Sequence, residues 1–298
     1  MKKINFLVIL ALIMCFVTGC GNFNKKAEVG NEILNQENLQ VKIALGDNYD
    51  AKVALLQSKE LSSDGLVALC LYPEGLRLEN LKIQHFYKEA IERTDLTVEQ
   101  EVQIAKFDKY AYTKALLLRT RLSPEGLVAV CENPGEVSLR NNELEKMFRE
   151  AIERVELNAE QEVQIAKLGE FTYNAALLLR TKLTPEGLVA VCENPGDISL
   201  ENIGLKRMFR KAIERVELNA EQEVQIAKLG EFTYNTALLL RTKLTPEGLV
   251  AVCENPGSMN LKNKNIQQLF KNAIKRTALT VEQKNQIIDS ELKGIGLF

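Results

Sequence analysis

Four cysteines recur at a constant spacing and are the first candidates for chemistry in this 298-residue chain. Cys70, Cys131, Cys192 and Cys253 each lie 61 residues from the next. A disulfide needs Cα atoms within about 7 Å, whereas equivalent positions in stacked helical units lie at least ~8–10 Å apart. We therefore predict four buried free thiols that pack as small apolar groups. No second Cys or His lies nearby at metal-ligand spacing, so the sequence predicts no metal site and no cofactor.

Catalytic motifs are missing from the sequence. His85 is the only histidine, and no GxSxG, HExxH or P-loop motif occurs. Catalysis usually needs one asymmetric group of different residues, whereas a repeated unit supplies the same few residues at intervals. We therefore expect that the protein is not an enzyme, and an enzyme without recognisable motifs is the least favoured alternative. The formal net charge of −2 and the lack of long single-sign runs also argue against a nucleic-acid partner.

A stripe of tyrosine and arginine is the remaining candidate for a functional surface. It recurs at helical spacing in three successive units, as Tyr112 and Arg119, Tyr173 and Arg180, and Tyr234 and Arg241. Tyrosine and arginine dominate the energetic centres of protein interfaces, so the stripe is a possible interaction face. The alternative is burial against the neighbouring unit, with the polar groups satisfied inside. We expect the buried arrangement.

These candidates belong to tandem repeats. Residues 158–196 recur as residues 219–257 with one change, from Ala175 to Thr236. We divide the chain into four repeats, 36–96, 97–157, 158–218 and 219–279, followed by a partial repeat at 280–298. The first repeat diverges most and the fifth is truncated, as expected of units that cap the two ends of an array.

Each repeat has the sequence pattern of several helices. Asn158 with Gln161 has capping-box spacing and predicts a first helix to about Lys182, with a possible break at Gly169. Thr184 and Pro185 begin a short second helix. The last segment carries apolar residues at positions i, i+3, i+4 and i+7, namely Leu205, Met208, Phe209, Ala212 and Ile213. No segment alternates apolar and polar residues, and the joins between repeats are short. The sequence therefore predicts an all-α fold, a stacked, α-solenoid-like array.

The first twenty residues have a separate character. Lys2 and Lys3 precede an apolar run over residues 4–16, and the run ends in Val17-Thr18-Gly19-Cys20. Such a run suits a secretory signal and is short for a membrane span. The ending resembles the lipobox of bacterial lipoproteins. The resemblance covers residues 1–20 alone and implies removal of residues 1–19, with a diacylglycerol on the thiol of Cys20.

The resemblance carries the expected location and function. Acylated Cys20 would hold the protein in a lipid bilayer, with residues 20–35 as a short tether. Gly21 follows the cysteine where an Asp would resemble a signal for inner-membrane retention, so we expect the outer membrane in a diderm host and otherwise the outer face of the plasma membrane. The array is then expected to be a scaffold for a protein partner that the sequence does not identify. The alternative is a structural spacer of the cell envelope without a specific ligand.

Overall fold

The computed structural model describes residues 39–135, 142–196, 203–290 and 292, and all regular structure within these residues is helical. Residues 1–38, which include Cys20 and the tether, lie outside this part of the chain. The seventeen described helices are α1 (39–45), α2 (Tyr49–Gln57), α3 (Ser63–Leu71), α4 (Leu81–Arg93), α5 (Val98–Ala105), α6 (Tyr110–Leu118), α7 (Pro124–Glu132), α8 (Asn142–Arg154), α9 (Ala159–Lys167), α10 (Phe171–Leu179), α11 (Pro185–Glu193), α12 (Ile203–Arg215), α13 (Ala220–Lys228), α14 (Phe232–Leu240), α15 (Pro246–Glu254), α16 (Lys264–Arg276) and α17 (Val281–Asp289).

The helices occupy four positions in each repeat, which we call A, B, C and D in chain order. Helices α1, α5, α9, α13 and α17 are A helices, and each B, C and D helix follows in turn. A and C helices pack alternately along the chain and form one layer, the A/C layer. B and D helices pack alternately in a second layer, the B/D layer, and each B helix also contacts its A and C neighbours across the layers in the second to fourth repeats. The stacked, solenoid-like arrangement predicted from the sequence is therefore confirmed.

The A and C helices begin where the sequence predicts. Asn158 and Gln161 form a complete capping box at the start of α9, in which each side chain accepts from the backbone N–H of the other residue. Thr184 Oγ1 accepts from the backbone N–H of Gly187 at 3.0 Å and caps α11, whose first residue is Pro185. The same capping box recurs at Thr97, Asn219 and Thr280, and the hydroxyl cap recurs at Ser62, Ser123 and Thr245.

The first predicted helix is two helices in every complete repeat. Gly169 adopts a φ of +67° between α9 and α10, and Asp108 adopts +53° at the equivalent position. Asp is among the few non-glycine residues that tolerate this left-handed conformation, and here its Oδ1 also accepts from the N–H of Gly135 at 2.7 Å. In the third repeat Gly196 lies against the backbone of Gly169, and a Cβ added at Gly196 would overlap the carbonyl oxygen of Gly169. Position 196 therefore needs glycine, because its backbone contacts the backbone of Gly169 directly.

No helix among residues 39–135, 142–196 and 203–290 combines the length and apolar character needed to cross a bilayer. The longest described helices are the D helices, with 13 residues each. Membrane attachment through Cys20 remains an expectation from the sequence.

Candidate functional site

The structure buries the tyrosine and arginine stripe, which is the arrangement that we expected and which corrects the alternative hypothesis of an interaction face. All three tyrosines are fully buried, and Arg119, Arg180 and Arg241 are no more than 5% exposed. Tyr112, Tyr173 and Tyr234 pack against the D-helix aromatic ring of the preceding repeat, Tyr87, Phe148 and Phe209 respectively, with ring centroids 4.8–5.0 Å apart. The B helix has D helices on both sides, so its second apolar stripe contacts a neighbour and not solvent.

Each buried arginine is paired with a buried carboxylate that the sequence analysis missed. Glu162 of α9 is fully buried, and its Oε1 lies 3.1 Å from Nε of Arg180. Its other oxygen, Oε2, accepts from the backbone N–H and hydroxyl of Thr184, at 2.8 and 2.5 Å. One carboxylate thus joins the A helix to the end of the B helix and the start of the C helix. The pairs Glu101 with Arg119 and Glu223 with Arg241 repeat the arrangement.

The same arginines link consecutive repeats. Nη1 of Arg180 donates to the carbonyl oxygens of Ile152 and Val155, at 2.5 and 2.9 Å, at the end of the preceding D helix. Arg215, the last residue of the next D helix, donates in turn to the carbonyl oxygens of Leu178 and Arg180, at 3.0 and 2.8 Å. Helices in the B/D layer therefore satisfy each other's unpaired C-terminal carbonyls with arginine side chains. We call this set of contacts the arginine junction.

The first repeat contains a neutral version of the carboxylate site. Gln40 stands in the register of Glu162, and Ser58 stands in the register of Arg180. Oε1 of Gln40 accepts from the backbone N–H and hydroxyl of Ser62, at 2.7 and 2.9 Å, as the glutamate does in later repeats. The second to fourth repeats thus carry both the glutamate and its arginine, whereas the first repeat lacks both. This joint change between repeats was a signal available in the sequence.

The glycine register of the C helices follows from the buried carboxylate. A Cβ added at Gly187 would lie 2.4 Å from Oε2 of Glu162 and 2.9 Å from its Cβ. Gly65, Gly126 and Gly248 approach Gln40, Glu101 and Glu223 in the same way. The glycine allows the A and C helices to approach closely enough for Glu162 to reach Thr184.

The four repeated cysteines are buried free thiols, as predicted from their spacing. Cys70, Cys131, Cys192 and Cys253 are at most 3% exposed. Burial raises the pKa of the Cys253 thiol to about 12 and raises the pKa of the other three thiols as well. The thiolate is the nucleophilic form of cysteine, and a raised pKa keeps these thiols protonated. They therefore pack as small apolar groups in the folded protein.

The described residues contain no group of three or more His, Cys, Asp or Glu side chains placed to hold a metal ion. His85 lies on the exposed side of α4, with Nε2 3.2 Å from Oε1 of Glu89.

Shallow grooves run between a D helix and the following B helix. One, of about 510 Å³, lies between α8 and α10 and is lined by Arg149, Glu150, Glu153, Arg154, Ala176 and Leu179. A smaller one, of about 170 Å³, lies between α4 and α6.

The third and fourth repeats have the same sequence in the helices of the A/C layer but different sequences in their D helices. Helices α9 and α11 have the same sequences as α13 and α15, so the A/C face is present twice, residue for residue. The single change, from Ala175 to Thr236, lies in the B helices. The D-helix segments 197–218 and 258–279 agree at only 7 of 22 positions. The two faces therefore present different kinds of surface, one duplicated and one divergent.

The expected lipidation site, Cys20, is outside the residues that the structure describes. Comparisons of the chain with protein-family models, with curated proteins and with solved structures found no match.

Proposed function

We propose that the protein is a membrane-anchored bacterial envelope lipoprotein whose helical array serves as a scaffold for other proteins. The observation that carries this proposal is the duplicated A/C face of the third and fourth repeats. On that face Glu160, Gln164 and Glu193 are exposed in one repeat, and Glu221, Gln225 and Glu254 are exposed in the next. A partner with two matching elements would meet the same side chains twice.

Duplication of a face on a rigid support favours multivalent binding. Two weak contacts on a single rigid body gain avidity without any new contact, provided that their spacing stays constant. The arginine junction supplies that constancy, because Arg180 and Arg241 tie each B helix to the preceding D helix. Exposed carboxylates outnumber the exposed lysines Lys167 and Lys228 on the A/C helices of these repeats, so a partner face with basic residues is expected.

The membrane location rests on the lipobox resemblance of residues 17–20. An acylated Cys20 would keep the array at the outer face of a membrane, with the tether between bilayer and repeats. The alternative function, an envelope spacer, would use the same stiffness without any specific face.

A capture experiment with paired variants separates scaffold from spacer. The mature chain is immobilised and incubated with envelope extract, and the retained proteins are quantified by mass spectrometry. Glu193→Lys alone should weaken retention of a specific partner, because avidity is lost, and Glu193→Lys with Glu254→Lys should abolish it, because neither contact remains. Glu89→Lys with Glu150→Lys on the D helices makes the same charge change on the other layer and is the control. Equal retention by all variants, or no retained protein, would leave the spacer as the better explanation.

A further inference from the structure

The D helices change in charge along the array. The first two, α4 and α8, carry six cationic and six acidic side chains, whereas α12 and α16 carry nine cationic side chains and the single acidic residue Glu214. The nine are Lys206, Arg207, Arg210, Lys211, Arg215, Lys264, Lys271, Lys275 and Arg276. This shift occurs while the A/C helices of the same two repeats stay identical, so it is confined to one face of the array.

Six of these nine cations lie on the outer sides of the two helices, whereas Arg215 and Arg276 donate to backbone carbonyls of the neighbouring B helices. In α16 the buried residues Ile266, Phe270 and Ala273 form one side of the helix. Lys264, Lys271 and Lys275 follow at i, i+7 and i+11 on the opposite side, and all three are exposed. In α12 the exposed Arg207, Arg210 and Lys211 lie opposite the buried residues in the same way.

These outward cations lack acidic partners among the described residues. None of the salt bridges between side chains of residues 39–135, 142–196, 203–290 and 292 involves a cationic residue of α12 or α16. By contrast, Lys146 of α8 lies 3.8 Å from Glu150, and Lys114 lies 2.8 Å from Glu143. The charge of these six exposed side chains is therefore available to an external anion.

Apolar side chains are interspersed with this charge. Ile203, at the start of α12, is 75% exposed. Between the two D helices lies α14, whose first residue, Phe232, is half-buried, with Nζ of Lys206 6.0 Å from its ring centroid. We call this surface, formed by the outer sides of α12, α14 and α16, the basic face.

We propose that the basic face docks on the anionic headgroups of a lipid bilayer. Its cations spread over two helices with a third between them, about 20 Å across at ordinary helix spacing, which suits an extended anionic surface better than a single pocket. Lysine and arginine close to an anionic bilayer each strengthen binding, and an exposed apolar residue among them can enter the headgroup region. The opposite face carries Glu160, Glu193 and Glu254 and would be repelled, so the orientation of the array is defined.

Docking of this face would set the geometry of the proposed scaffold. The basic face lies at the end of the chain far from Cys20, so an array held at both places lies along the membrane and turns the duplicated A/C face outward. This geometry rests on the proposed function for the anchor at Cys20. The docking itself does not, because a chain without an acyl group should also bind.

The test uses the mature chain, residues 20–298, with Cys20→Ser and no acyl group. Co-sedimentation is measured with vesicles of phosphatidylcholine containing 30% phosphatidylglycerol and with vesicles of phosphatidylcholine alone. We expect binding to the first and not the second, with loss of binding in 0.5 M salt. Each surface cation contributes about a fivefold factor, so Lys264→Gln, Lys271→Gln and Lys275→Gln together should weaken binding about a hundredfold.

A control variant changes the same net charge on the other layer. Lys106→Gln, Lys167→Gln and Lys228→Gln remove three exposed lysines from the A side of the array and should change binding less than fivefold. Circular dichroism checks that both triple variants keep their helices. Equal loss in both variants, equal binding to the two vesicle types, or binding of soluble polyphosphate or polyglutamate without vesicle binding would each overturn the proposal. Retention of the Cys20→Ser chain by membranes washed in 0.5 M salt, which removes docking through the basic face, would count against the anchor alone.

Discussion

The buried pair of Glu162 and Arg180 allows the sharpest test of how the repeats are held together. Glu162→Gln keeps the size of the side chain and its acceptor for Thr184, but removes the partner of a guanidinium that is 3% exposed. At 3.1 Å and an effective dielectric constant near 20, the pair attraction is about 5 kcal/mol before desolvation is counted. Removing one member of a buried pair typically costs about 3–5 kcal/mol, and we expect that loss.

The double variant Glu162→Gln with Arg180→Ser reproduces the pair Gln40 and Ser58 of the first repeat. Arg180→Ser alone should cost more than Glu162→Gln, because it leaves a buried carboxylate unpaired and also uncaps the carbonyls of Ile152 and Val155. The double variant leaves no buried charge unpaired. Its remaining cost in unfolding free energy comes from the uncapped carbonyls, about 1–3 kcal/mol each. The double variant should therefore cost at least about 2 kcal/mol less than the sum of the single variants.

The assay must be local, because long repeat arrays unfold with limited cooperativity and a single free energy of unfolding is poorly defined for them. Native-state hydrogen exchange at amides of α9 and α11 reports opening of this repeat, and urea denaturation followed by circular dichroism gives the overall midpoint. The equivalent pair, Glu223 and Arg241, provides a replicate with the same geometry. A cost of less than about 1 kcal/mol for Glu162→Gln, or simple additivity of the two single costs, would refute a buried, mutually dependent ion pair of Glu162 and Arg180.

Three further predictions test other parts of the structure. Tyr173→Ala should cost about 3–5 kcal/mol in urea denaturation, whereas Tyr173→Phe should be nearly neutral because the buried hydroxyl has no hydrogen-bond partner; a silent Tyr173→Ala would contradict the burial of this ring. The four repeated thiols should react with iodoacetamide only after unfolding, because burial raises their pKa values; mass spectrometry should find them unmodified in the native protein, and rapid native labelling would refute this. Cys20→Ser should move the protein from the detergent phase to the aqueous phase, and unchanged partitioning would remove the support for lipidation.

Local sequence was sufficient to predict much of the fold. The 61-residue period, the capping box at Asn158, the Pro185 helix start and the free state of the cysteines all follow from nearest neighbours or from a constant spacing. The caps depend on residues within one turn of each other, so they form in the same way whatever packs around them. The cysteine prediction needed only the minimum distance between stacked units.

The tertiary structure decided which side of each helix is inside. On a helical wheel Tyr173 and Arg180 form a second stripe that we expected to be buried, but only the tertiary structure shows that D helices on both sides of α10 cover it. Glu162 appears in the sequence as one carboxylate among several in a polar helix start. Its burial depends on Arg180 from the next helix and on the close approach at Gly187, 25 residues along the chain. Such contacts depend on how the layers stack, because the free energy of a buried charge is set by partners that the local sequence does not contain.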